Sequence, residues 1–245
     1  MTWIVELNGA EESLRELEEG CRGDGIIALV DAKYRLDPLL FAASDDYETV
    51  KTTAQREVDC LNGYARLFLS ENRKVAVGNI SRQEPGKPKV HFVAITDSVG
   101  ISARIVGFRL GDEEGVIHAP DRGPAFRAWR ELVQKDQVVA DVFGYLQGPL
   151  NDWTNLARIM EAIEHNLGSE DKLIATGWAD RQSVKAFHAS ANNPLIAGAT
   201  ARHGARRFGI PKETMEIHQA RQLVLDVARR WIDAKIGATN VSAMR

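Results

Sequence analysis

The chain has 245 residues, 44% hydrophobic and 27% charged, with a net charge of −3. That composition is ordinary for a globular protein with a substantial core, and it excludes a chain that is polybasic throughout. Two cysteines, Cys21 and Cys60, exclude a disulfide framework or a zinc cage, and Cys60 sits in an apolar helical pattern that predicts a buried thiol.

Met1 to Glu6 lacks the basic and apolar regions of a signal peptide, and no apolar run reaches the ~20 residues of a membrane span. The expected compartment is therefore the cytoplasm, with no membrane partner. Trp3, Val5 and Leu7 alternate as in a half-buried strand. The acidic stretch Ala10–Glu19 carries Leu14 and Leu17 and stops at Gly20, which predicts a short helix. Ile26 to Val30 suits a buried strand, with Tyr34–Phe41 as its hairpin partner, broken at Pro38. Ser44, Asp45 and Asp46 offer an N-cap to a helix through Tyr47, Val50, Ala54, Val58 and Leu61, with Gly63 as its expected end. Strands are predicted at Val75–Ile80, Val90–Thr96 and Ile101–Leu110, with a turn at Gln83–Pro88.

The polar, turn-rich stretch Gly111–Gly123 reads as a boundary, and the chain beyond it has helical patterning. Phe126, Trp129, Leu132, Val133, Val139, Phe143 and Leu146 form one apolar stripe. Trp153, Leu156, Ile159, Met160, Ile163 and Leu167 form a second, stopped by Gly168. A shorter helix is expected over Asp180–Ala189. The last runs through Ile217, Ala220, Val224, Val227, Ala228 and Trp231, with Thr214 as its N-cap and fraying after Gly237. The fold class is α+β: an N-terminal mixed strand and helix module over residues 1–111, then an all-helical bundle domain over 120–238.

The chemistry concentrates between Arg181 and Lys212. This segment holds Arg181, Lys185, Arg202, Arg206, Arg207 and Lys212 with His188 and His203, and contains no acid. Such a field attracts phosphate, so RNA or DNA is one candidate partner. The acid-rich residues Met1–Asp31 offer the alternative, an internal match or one between subunits of a homo-oligomer. Phe187 and Phe208 are the available stacking residues, which gives base stacking little support. Arg202 beside His203 is the candidate catalytic pair, the arginine holding a phosphodiester and the histidine moving its proton. The histidines show no metal-ligand spacing, no cofactor motif is present, and Asp31-Ala32-Lys33 is a weak match to half of a nuclease site.

Trp153-Thr154-Asn155-Leu156, Phe187 to Pro194, Ala201-Arg202-His203-Gly204, and the ending with Pro211, Ala220-Arg221 and Arg230-Trp231 resemble a widespread family of uncharacterised bacterial proteins. The Trp3 strand and Leu61 to Ala65 fit the same pattern. The order of helix, Arg-His-Gly loop and long final helix is also similar to HEPN domains, helical bundles of toxin and phage-defence RNases. That resemblance implies a ribonuclease using His203 if the protein is catalytic. The arginine that active members carry upstream falls here on Ile196, Ala197 and Gly198, which favours a HEPN-like bundle that binds without cutting. Arg181 with His188 and Arg158 with His165 have the spacing but lie in predicted helices. The expected function is thus a non-catalytic binding or accessory protein, of a bacterial defence module, meeting nucleic acid or a protein through its basic C-terminal face. A ribonuclease and a purely protein-interacting homo-oligomer are the alternatives.

Overall fold

The computed structural model describes residues 1–69, 74–92, 123–202 and 209–243. The predicted strand Ile101–Leu110, the boundary Gly111–Gly123 up to residue 122, and His203, Arg206 and Arg207 lie outside the described residues.

The α+β reading holds: an antiparallel sheet lies at the N-terminus and helices come after it. Strands β1 (Thr2–Gly9), β2 (Ile27–Val30), β3 (Lys33–Leu36), β4 (Val75–Gln83) and β5 (Val90–Phe92) are ordered β2-β3-β1-β4-β5. The alternation in β1 does what its period demands: Trp3, Val5 and Leu7 enter the core. The register between β1 and β4 slips by a bulge between Val5 and Leu7. Trp3 also donates its indole N–H to Ser44 O at 2.8 Å, which ties the strand to the chain just ahead of the next long helix.

Helix α1 (Glu11–Gly20) lays Leu14 and Leu17 inward. Helix α2 (Tyr47–Tyr64) starts where the acids predict, Asp46 accepting from Thr49 N–H at 2.9 Å. Its buried Asn62 clamps β4 by both donating to and accepting from the Val75 backbone, each at 2.8 Å. The helix does not stop at Gly63. It runs on into a π-helical turn, Ala65–Leu69, and Gly63 instead lets the Phe143 ring lie against the backbone.

The expected single stripe from Phe126 to Leu146 is two helices, α3 (Gly123–Lys135) and α4 (Gln137–Tyr145). Asp136 separates them, in extended conformation, capping Val138 and Val139 N–H and taking the Lys235 ammonium at 2.7 Å. Helix α5 (Trp153–Leu167) ends at Gly168, whose φ of 103° is the left-handed stop the sequence signals. Helix α6 (Glu170–Ala175) is an addition. Helix α7 (Arg181–Ala191) is capped by Asp180, and α8 (Pro194–Ala197) by Asn193. Helix α9 spans Ile217–Ala243. Its start lies past Thr214, which is therefore not the cap, and it continues beyond Gly237, the expected point of fraying.

Buried apolar residues form one continuous cluster, from Trp3 and Val5 through Tyr64 to Phe126, Trp129, Phe143 and on to Trp231. Tyr64 packs edge-on against Phe126 and Trp129, at centroid distances of 5.0 and 5.7 Å. Backbone carbonyls are drawn in as well: Arg66 donates to Gly148 O at 2.7 Å, and Arg229 to Leu67 O at 2.9 Å. The helices beyond residue 123 thus complete the core that the sheet and α2 begin.

Candidate functional site

The described part of the acid-free segment lies on α7, α8 and the residues adjoining them, with α7 packed against α5. Among its described cationic groups, Arg202, His188 and Arg181 meet carboxylates from α5 and α6, not from the acidic stretch Met1–Asp31 that the sequence offers as an alternative partner. Arg202 Nε is 2.7 Å from Glu161 Oε1. His188 Nε2 is 2.7 Å from Glu164 Oε1, and this pair is mostly buried. Arg181 Nη2 is 2.8 Å from Asp171 Oδ1, with both side chains largely exposed, so it contributes little stability. Lys185 and Lys212 are exposed and have no ion-pair partner among the described residues.

Glu161 and Glu164 stand one turn apart on α5, which is why one face of that helix serves two cations. Sequence reasoning misses them because they belong to a different helix. The available signal is a pair of acids beside the apolar stripe.

The end of α7 anchors the returning chain. Arg202 N–H donates to Ala191 O at 2.9 Å, Met215 N–H to Ser190 Oγ at 2.8 Å, and Asn193 Nδ2 to Gly209 O at 3.0 Å. These ties leave a pocket of about 430 Å³ lined by His188, Ala189, Asn192, Asn193, Pro194, Gly209 and Pro211. Among the described residues Asn192 Oδ1 is buried without a hydrogen-bond partner, and Leu195 and Ile210, next in sequence to the pocket prolines, are exposed. A larger groove, about 520 Å³, runs between α2 and α4 over Cys60 and Phe143. Burial pushes the Cys60 thiol far above its usual range, so it is no nucleophile there. Among the described residues, no group of three His, Cys, Asp or Glu side chains could hold a metal ion, and no helix is long and apolar enough to cross a membrane.

Burial alone would lower the His188 pKa. The hydrogen bond and charge of Glu164, with Glu170 and Glu161 behind it, more than reverse that and hold the imidazolium above its ordinary value of 6.5. A raised pKa adds stability that is complete below the unfolded pKa and is lost as pH rises through the folded one. His188→Gln should therefore cost stability near pH 6, and the difference from wild type should shrink as pH climbs toward about 9. Urea denaturation of both proteins across that range measures it. A difference that is flat or grows with pH would contradict the ion pair.

No protein-family model matches this sequence, and comparison with curated proteins and with solved structures finds no match.

Proposed function

We propose that this chain is a non-catalytic binding protein that engages a protein partner through the face formed by α7, α8 and Gly209–Pro211. The observation that carries this reading is the pairing of its cationic groups: Arg202 with Glu161 and His188 with Glu164, each at 2.7 Å. Arg202, the described member of the Arg202–His203 pair, is held by Glu161 and so is poorly placed to grip a phosphodiester, which needs a cation free to follow the developing charge. The same pairing argues against nucleic acid as the partner. Affinity for a polyanion comes from releasing its counterions to uncompensated cations, and here Arg181, His188 and Arg202 are already compensated. A small pocket with two prolines, a buried acceptor on Asn192, nearby Leu195 and Ile210, and Lys185 and Lys212 on the same segment suits a protein surface better.

The test pairs a capture with two nucleic-acid assays. Wild-type protein should retain one specific protein from lysate of its own source. Leu195→Glu and Ile210→Glu should lose it without a change in melting temperature, since both side chains are exposed. Labelled RNA and duplex DNA should bind feebly even at low salt. Steeply salt-dependent binding that Arg206→Glu with Arg207→Glu abolishes would replace this reading with nucleic-acid binding. RNA cleavage that disappears in His203→Ala would replace it with the ribonuclease.

A further inference from the structure

Strand β2 lies at one end of the sheet, and no described strand pairs with its outer side. Natural sheets blunt such an edge with a charge, a proline or a bulge. Here the run Ile26-Ile27-Ala28-Leu29-Val30 contains none of these. Ala28 is exposed, as are Leu29 at 56% and Val30 at 41%. Leu29 is the informative residue. Two positions from buried Ile27, it points to the face that Ile27 buries, yet more than half of it meets solvent. The apolar layer under the sheet runs on past its cover.

The hairpin phase says which backbone groups are open. Asp31 and Ala32, at φ 51° and 59°, form a two-residue turn closed by Val30 opposite Lys33. Asp37 N–H donates to Ile26 O at 2.9 Å at the other end. By alternation Ile26, Ala28 and Val30 turn their N–H and C=O groups toward β3, and Ile27 and Leu29 turn theirs outward.

We infer that β2 pairs antiparallel with β2 of a second copy of this chain, about a twofold axis at Ala28, joining two sheets into one. In that register Ile27 of each copy faces Leu29 of the other, and both residues present outward groups, so each such pair exchanges two backbone hydrogen bonds. Leu29 then covers the neighbouring Ile27, and Val30 lies across from Ile26. The run carries no charge, so self-pairing sets no like charges against each other. A one-residue slip would instead oppose outward-facing groups to inward-facing ones and lose the bonds. That self-complementarity selects a second copy as the occupant.

Sedimentation of the full chain over rising concentration should pass from monomer to dimer. Leu29→Lys, at an exposed position, should weaken the association at least ~10-fold and leave the melting temperature of the monomer unchanged. Under mild oxidation Ala28→Cys should give a covalent dimer, because Ala28 lies opposite its own copy at the closest type of pair, whereas Val30→Cys should give little. The native thiols, both buried, should not interfere. A chain that stays monomeric at every concentration would overturn the inference. So would a dimer indifferent to Leu29→Lys, or Val30→Cys cross-linking as readily as Ala28→Cys.

Discussion

Arg130→Met should destabilise the protein by about 3 kcal/mol or more, the cost of stranding a buried charge. Asp24 and Glu57 are 4% and 3% exposed at their side chains, one just after α1 and the other on α2, and Arg130 of α3 reaches both. Its Nε lies 2.7 Å from Glu57 Oε2 and its Nη1 3.3 Å from Asp24 Oδ2. Arg127 Nε adds a second cation 2.8 Å from Asp24, and Gln134 donates to Glu57 at 3.3 Å. The network spans the two halves of the chain, so its loss should unfold them together. Arg127 is largely exposed, and Arg127→Ala should cost about 1 kcal/mol or less. Replacing Arg130 and Glu57 together by Met and Leu should cost clearly less than the sum of the single changes, because each single change leaves a partner uncompensated. Chemical denaturation of the four variants decides the point. Equal costs for Arg127 and Arg130, or strict additivity of the double change, would contradict the network.

Like that network, most of what the sequence leaves hidden is tertiary, and most of what it discloses is local. Asp46, one of three capping candidates, and Gly168 are legible because capping is local: a side-chain oxygen reaches an N–H three residues on, and a left-handed residue ends a helix wherever it falls. Strand β1 is legible for the same reason, its period being a property of the strand itself. Asp180, expected as the first residue of its helix, is instead its cap. Asp136 shows the limit. It lies inside an apolar pattern that keeps one helical phase, and its role as a cap appears once the Lys235 ammonium from α9 is seen against it. Thr214 shows the converse, a good capping residue left unused while the helix begins at Ile217. The partners of the basic segment are invisible in the sequence because Glu161, Glu164 and Asp171 come to it through tertiary packing. Local charge bias predicts a field, and the folded chain can cancel that field with side chains from elsewhere.

The aromatic contacts of Tyr64, Phe68 and Trp129 fix the helices against α2, with Phe68 and Trp129 at a 3.9 Å centroid distance. The α7–α8 pocket and the β2 edge lie away from that aromatic contact, although α7, α8 and β2 each also send residues into the core.

Gly63→Ala should lower stability by about 2 kcal/mol, or melting temperature by about 4–8 °C for a chain of this size. On propensity alone the change should help, since alanine is favoured over glycine inside a helix by about 1 kcal/mol. Gly63 lies within α2 and is not among the glycines with positive φ, so no backbone strain opposes the alanine. Packing opposes it. A Cβ at this position would lie 2.3 Å from Cδ1 and 2.9 Å from Cε1 of Phe143, whose ring is fully buried and edge-on to Trp129. To relieve the contact the buried ring must repack between α2 and α4, whose spacing is tied by Gln147 donating to Asp59 O at 2.9 Å. Phe143→Leu alone should also destabilise, by loss of buried aromatic surface, yet combined with Gly63→Ala it should recover part of the deficit. Thermal unfolding of the two single variants and the double one gives the coupling. A neutral or stabilising Gly63→Ala would mean that propensity wins and that the two helices are not in the close contact described.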